Sequence, residues 1–283
     1  MRVLVLGNAE RPGVLAEKER LLPLLSAHAK IVAVDLQQEL RLNDLDADIC
    51  LVLGGDGAIL RAARQMGYRQ TPVLGVNLGK LGFLADLGPE ELCAYFPAVA
   101  RGEYRVTSHL MFECQVDGPD AKPPVLGLNE VALQTGPPFN ILDLDLIVDG
   151  ETVSHYRCDG LIISTPIGST AHSLSAGGPI LGQGLSAFVI TPICPHTLTN
   201  RPLVDGADKV YTIVLRGTCC NATLIVDGQE LVQLAAGQHI TVRRAPVSFG
   251  LVKVHGRSYY QTLRDKLHWG TQPSYRDEHS ADS

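Results

Sequence analysis

Ile49-Cys50-Leu51-Val52-Leu53-Gly54-Gly55-Asp56-Gly57-Ala58-Ile59-Leu60-Arg61-Ala62-Ala63-Arg64 reads as an apolar run, a glycine turn carrying one carboxylate, and the opening of a helix. A short apolar run without alternation predicts a strand buried on both faces, which is the pattern of a parallel sheet. Gly54, Gly55 and Gly57 allow backbone N–H groups to approach a phosphate. Asp56 beside them is an acid or base where phosphoryl transfer to a hydroxyl would need one. Taken alone, the four residues equally suit a plain strand-to-helix connection capped by Asp56.

The flanking sequence repeats this grammar. Val3–Leu6, Ile31–Val34 and Val73–Val76 read as further buried strands. Residues 14–25, with Pro23 in the last turn, and 90–100, with Pro97 near the end, read as helices. After Tyr104 the pattern changes. Leu142-Asp143-Leu144-Asp145-Leu146 alternates strictly, and Asp149-Gly150 then leads into 152–156, a hairpin signature. Further strands are expected at 111–116, 125–133, 161–164, 210–215, 222–226 and 240–244, with a late helix at 259–267. Val-Asp-Gly recurs at Val116, Val148, Val204 and Val226 with uneven spacing, which predicts four similar turns rather than a repeat. The expected fold is an α/β, Rossmann-like N-terminal domain with a parallel sheet, a β-rich C-terminal domain and an active cleft between them. The boundaries expected are 1–104, 105–257, a helix at 258–271 returning to the first domain, and a disordered tail at 272–283.

Composition narrows the function classes. The 283 residues carry a net charge of −6 with scattered Lys and Arg, which argues against nonspecific nucleic-acid binding. No apolar run approaches a bilayer span, and the apolar start is too short for a signal peptide. The seven cysteines are dispersed without a C-x-x-C pair, so neither a disulfide frame nor a zinc site is expected. A reducing, cytoplasmic compartment follows from that reading. None of the histidines has metal-ligand spacing, and no metal-binding side chains are assigned.

Three further segments carry a specific resemblance: Leu128-Asn129-Glu130-Val131, the long run Asp159-Gly160-Leu161-Ile162-Ile163-Ser164-Thr165-Pro166-Ile167-Gly168-Ser169-Thr170-Ala171-His172-Ser173-Leu174-Ser175, and Thr191-Pro192-Ile193-Cys194-Pro195-His196. With Gly54–Gly57, and in matching order to Gln229, the chain resembles the NAD kinase family. The resemblance implies transfer of a phosphoryl group from ATP or another donor to the 2′-hydroxyl of the adenosine ribose of NAD, giving NADP. It implies Asp56 as general base. Gly54, Gly55, Gly57 and Arg61 would lie at the phosphates, and Phe83 and Leu84 would form an apolar wall of the cleft or belong to the core. It implies NAD contacts by Asn129, Glu130, Thr170, Ala171, His172, Ser173, Leu174, Ser175 and Gln229. Arg157 and Asp159 would contact substrate, Asp159 from across a subunit interface, so a homodimer or homotetramer is implied. Without the family, Arg157 and Asp159 read equally as a surface ion pair, and Gln229 as a hairpin-turn residue. Mg²⁺ or another divalent cation would accompany ATP.

The chain departs from the family pattern at Ala58, Ile167 and His172, where a threonine, a threonine or serine, and a tyrosine are usual, and at Cys158, where a glycine is common. Ala58 removes a hydroxyl near the phosphates, Ile167 is expected to add apolar bulk near the base or ribose, and His172 adds a group titrating near neutrality. These changes bear on NAD against NADH, on the phosphoryl donor and on rate. Rival readings are a lipid or small-molecule kinase sharing the glycine-aspartate turn and a non-catalytic NAD-binding sensor. A hydrolase lacks its Gly-x-Ser-x-Gly elbow here, and no Walker A loop is present.

Overall fold

The structure, a computed structural model, describes residues 1–79, 82–85, 87–118, 121, 123–137, 140–217, 222–234, 238–254 and 258–268. The N-terminal elements are β1 (Arg2–Leu6), α1 (Val14–His28), β2 (Lys30–Asp35), β3 (Ile49–Leu53), α2 (Asp56–Met66), β4 (Val73–Val76) and α3 (Pro89–Ala100). The strands pair parallel in the order β2-β1-β3-β4. Every residue of β3 is buried because helices cover both faces. Val3, Val5, Ile49 and Leu51 pack with Leu21 and Leu25 of α1 and Phe96 of α3. Leu4, Leu6, Cys50 and Val52 face the other way, onto Ile59, Ala62 and Met66 of α2. Each fully buried Leu, Ile or Val contributes about 1.5–3 kcal/mol by leaving water. Burial of Leu21 and Leu25 also carries α1 through Pro23 to His28, beyond the expected end.

Strand β1 has β2 on one side and β3 on the other, so strand order reverses between β1 and β3. A crevice opens outside the carboxyl ends of such strands. That position is taken here by Gly7-Asn8 after β1 and the glycine turn after β3.

The chain continues through β5 (Arg105–Asp117), β6 (Val125–Gly127), β7 (Glu130–Thr135), β8 (Leu142–Val148), β9 (Glu151–Cys158), β10 (Gly160–Ser164), the short α4 (His172–Ser175), β11 (Ala187–Ile193), β12 (Leu203–Gly206), β13 (Tyr211–Leu215), β14 (Ala222–Val226), β15 (Gln229–Gln233), β16 (His239–Lys253) and α5 (Tyr259–Leu267). Among the described residues, six strands form a separate antiparallel sheet in the order β12-β11-β10-β7-β14-β15. The others extend the parallel sheet. Strand β16 pairs antiparallel with β5 and β13, and its Leu251 pairs parallel with Val73 of β4. Between the sheets lies a core that includes Phe112, Leu133, Leu144, Ile163, Phe188 and Tyr211.

Several expectations need correction. The run 125–133 is two strands, broken at Leu128-Asn129. Residues 240–244 are part of a strand reaching Lys253, whose register shifts between Arg244 and Ser248. Strands β11, β12 and β15 lie outside the expected set, because prolines or polar residues obscure their patterns. Val204-Asp205-Gly206 is part of β12 rather than a turn. By contrast, Asp149-Gly150 turns with both residues at positive φ, 49° and 86°, as a tight hairpin requires. The expected tail at 272–283, Lys80, Leu81, Cys219, Cys220 and His255 lie outside the described residues. Cys50, Cys114 and Cys158 are buried and free. Among the described residues, no helix is long and apolar enough to cross a membrane.

Candidate active site

The glycine turn brings the backbone to the crevice, and Asp56 turns away from the helix it opens. Gly54 has φ of +142°, a conformation that L side chains rarely adopt. The helix cap is Gly55, with no side-chain cap bond, so Asp56 is not the N-cap. Its carboxylate instead crosses to residues 83–85. Oδ2 accepts from Phe83 N at 2.8 Å, and Oδ1 accepts from Leu84 N at 3.0 Å and Ala85 N at 3.2 Å. A Cβ at Gly82 would collide with Oδ1, so the loop comes this close only with glycine there. The carboxylate stays partly exposed, at 28 %. An ionised carboxylate offers about four lone-pair sites, so Oδ2, with one N–H bond, keeps room for a further donor. The adjoining cleft, about 350 Å³, is lined by Gly54, Gly55, Gly57, Ala58 and Arg61 together with Asn8 and Arg11.

A second constellation surrounds Asn129 and Glu130, where the run 125–133 breaks. Buried Asp227, in the β14–β15 turn, accepts from Leu128 N at 2.8 Å, Asn129 N at 2.7 Å and Glu130 N at 3.2 Å. Burial pushes the Asp227 carboxyl up to about 6, although the Leu128 and Asn129 N–H groups oppose that rise. Glu130 is buried, and its Oε1 lies 2.8 Å from Nδ1 of exposed His172. The hydrogen bond that His172 donates to Glu130 raises the imidazole above its ordinary value, against a smaller loss from burial. Asn129 Oδ1 and Glu130 Oε2 are buried without a partner among the described residues. Two orphaned acceptors at one corner are unusual, since buried polar atoms are nearly always paired. Arg64 of α2 ties this corner to the first half of the chain: it donates to Val226 O at 3.1 Å and to Gln229 Oε1.

The ATP-NAD kinase N-terminal domain family matches residues 15–104, and the ATP-NAD kinase C-terminal domain family matches residues 128–254. The NAD kinase of Rhodopirellula baltica is 48% identical over 276 residues, covering 97% of this chain and 89% of that one. The chain belongs to the NAD kinase family. It is accordingly an enzyme, of the class that phosphorylates NAD. A second relative, the NAD kinase of Geobacter metallireducens, is 42% identical over 256 residues, covering 90% of each chain. Among solved structures, an Archaeoglobus fulgidus NAD kinase in complex with ATP superposes with a TM-score of 0.76 at 29% identity, covering 95% of this chain and 99% of that one. Yeast NADH kinase complexed with NADH shares the fold, with a TM-score of 0.85 at 23% identity, over 97% of this chain and 89% of that one.

The residues singled out through the NAD kinase resemblance fall into two groups. Asp56, Arg61, Phe83, Asn129, His172, Thr170, Ala171, Asp159 and Gln229 are at least partly exposed, as are Arg157, Leu174 and Ser175. Ser173 is fully buried, and its hydroxyl is bonded to Thr191 Oγ1 at 2.9 Å, so it pins the short helix rather than facing the cleft. Leu84 is 2% exposed and packs in the core with Ile59 and Leu128, so of the two wall candidates only Phe83 is partly open. Ile167 is in the same core, 5% exposed, which corrects the expectation that it crowds the base or ribose. Among the described residues, Arg157 and Asp159 form no ion pair with each other, so the plain surface-pair reading has no support.

Asp227, Arg64 and Lys266 were not singled out from the sequence. From the sequence Asp227 shows only turn chemistry. Its signal was the recurrent Val-Asp-Gly, in which an aspartate ahead of a positive-φ glycine can bond backbone N–H groups. Lys266 lies on α5, more than two hundred positions from the turn it approaches. Its Nζ is 4.0 Å from Asp56 Oδ2 and 4.4 Å from the centroid of the Phe83 ring.

Proposed function

We propose that the enzyme transfers the terminal phosphoryl group of ATP, or of another phosphoryl donor, to the 2′-hydroxyl of the adenosine ribose of NAD, with Asp56 as general base. The observation that carries this reading is the Asp56 carboxylate, fixed by three N–H bonds beside the glycine turn with room left on Oδ2. A carboxylate so held can take the hydroxyl proton as the oxygen attacks phosphorus, and such a base contributes about 10²–10⁴ in rate. Gly54, Gly55, Gly57 and Arg61 line the space assigned to the triphosphate. The orphaned acceptors of Asn129 and Glu130 suit the amino and hydroxyl donors of an adenosine. His172, Thr170, Ala171, Ser175, Gln229, Arg157 and Asp159 are assigned to the dinucleotide as well, Asp159 from a neighbouring subunit of a homodimer or homotetramer in the cytoplasm.

Among the described residues, no three His, Cys, Asp or Glu side chains converge to hold a metal ion. A divalent cation would accompany the triphosphate, where it would spread the charge of the oxygens. Domain limits at 1–104, 105–257 and 258–271 remain part of the same proposal. NADP formation from NAD with ATP and Mg²⁺, repeated with NADH and with polyphosphate, tests the reading. Asp56→Asn is expected to lose almost all turnover and keep its fold, and wild-type turnover in that variant would remove Asp56 as base.

A further inference from the structure

We infer that Lys266, on the C-terminal helix, is a catalytic residue that carries the protein's own positive charge to the phosphoryl group in transfer. This rests on the reading of Asp56 as the base.

Helix α5 is firmly seated. Ser258 Oγ caps it by accepting from Gln261 N at 3.1 Å, Leu263 and Thr262 are buried, and Tyr259 donates to Leu181 O at 3.2 Å. The anchored helix delivers Lys266 to the Asp56 loop. The ammonium lies over the Phe83 ring, 4.4 Å from its centroid. The same residue's N–H donates to Asp56 Oδ2 at 2.8 Å. Phe83 thus fixes the base with its backbone and the cation with its ring.

The ammonium is not spent on the carboxylate. At 4.0 Å the separation from Oδ2 is beyond hydrogen-bonding reach. Among the described residues Lys266 makes no hydrogen bond, although its side chain is only 28% exposed. With its stem covered and its ammonium 4.0 Å from Asp56 and free of hydrogen bonds among the described residues, Lys266 keeps its donors for an anionic ligand. The atom it overlooks, Oδ2, is the one with room for the ribose hydroxyl.

The reaction supplies that partner. As the ribose oxygen forms its bond to the γ-phosphorus, the hydroxyl proton passes to Asp56. The bond between the γ-phosphorus and the β–γ bridging oxygen breaks, and its electron pair leaves with ADP. Negative charge rests on the three equatorial oxygens throughout. An acceptor hydroxyl about 2.6–3.2 Å from Oδ2 puts those oxygens within reach of a long, rotatable lysine whose Nζ lies 4.0 Å from the same atom. Lys266 keeps its proton and acts as a point charge with rotatable donors. It fills the part that a phosphate-binding loop lysine plays elsewhere, and this chain has no such loop.

The test is steady-state kinetics with NAD, ATP and Mg²⁺ on Lys266→Met, Lys266→Arg and Asp56→Asn. Methionine keeps an apolar stem over Phe83 and removes the charge. The expected result is a fall in kcat of about 10²-fold, the scale for losing one charge-stabilising group. The KM for NAD should stay within about threefold, Tm should be unchanged, and arginine should recover at least about tenfold of the loss. Wild-type kcat in Lys266→Met with an inactive Asp56→Asn would overturn the role of Lys266 and leave the base intact. Wild-type turnover in Asp56→Asn would instead remove the base. A fall matched by a lowered Tm and not recovered by arginine would also overturn the inference, reducing Lys266 to a packing contact.

Discussion

Asp56 and Asp227 receive the same backbone treatment and differ in what surrounds them. Each carboxylate accepts from three consecutive N–H groups, residues 83–85 in one case and 128–130 in the other. Asp56 opens a helix at the crevice and stays partly exposed. Asp227 is buried between β14 and β15, and burial pushes its carboxyl up to about 6. Three amide bonds make either side chain rigid. Access then decides the use: the open carboxylate can exchange a proton with a ligand, and the closed one holds the shape of the Asn129–Glu130 corner.

The largest expected break in this pairing is Asp56→Asn. It should lower turnover by at least about 10²-fold, with Tm within a few degrees of wild type by calorimetry. Asp227→Ala should do the reverse, because it leaves three N–H groups without their acceptor. Losing a buried partner costs about 1–3 kcal/mol, so Tm should drop by several degrees and the KM for NAD should rise by about tenfold with a smaller change in kcat. Unchanged melting in that variant would show that the corner holds itself. Gly82→Ala sharpens the comparison from the Asp56 side. Its Cβ would displace Oδ1, and a loss of about tenfold in kcat, ~1.4 kcal/mol, is expected without a change in the KM for NAD.

The pH dependences are smaller and opposite. The Asp227 value lies above that of an unfolded aspartate, about 3.9. Stability from its protonated form is therefore complete below about 3.9 and lost as pH rises through about 6. Its bonds to residues 128–130 are weaker in the protonated form, so the KM for NAD should rise as pH falls below about 6, without a net stability loss from this group. His172 runs the other way. Its folded value is raised, so the pair with Glu130 is complete below about 6.5 and weakens as pH climbs through the raised value. The KM for NAD should then rise on the basic side by about twofold to threefold, since the imidazole is exposed and its charge screened. His172→Tyr should abolish that limb, and a limb that persists would place its origin elsewhere.

The legible parts of the chain were those with local causes. The runs at 49–53 and 73–76 and the hairpin at 149–150 match the observed elements because burial period and turn chemistry act within a few residues. The glycine turn, Asn129-Glu130 and 170–175 were legible as motifs. What escaped depended on distant partners. The break after Gly127 exists because Asp227, across a strand pair, takes the N–H groups that would have continued the ladder. The full reach of β16 depends on β5 and β4 beside it. Ser173 and Leu84 carry family-like positions but owe their burial to Thr191 and to the α2 core. Nothing near residue 266 announces that a lysine there meets the turn at residue 56.

Strand β16 is stitched to β4 on one side and to β5 and β13 on the other. The two halves therefore share one hydrogen-bonded fabric and cannot be cut apart like beads on a string. A fragment ending at residue 104 would lose the pairing of Val73 with Leu251 and leave the β4 edge open to aggregation. The seam that unites the halves is thus also what denies either of them an independent life.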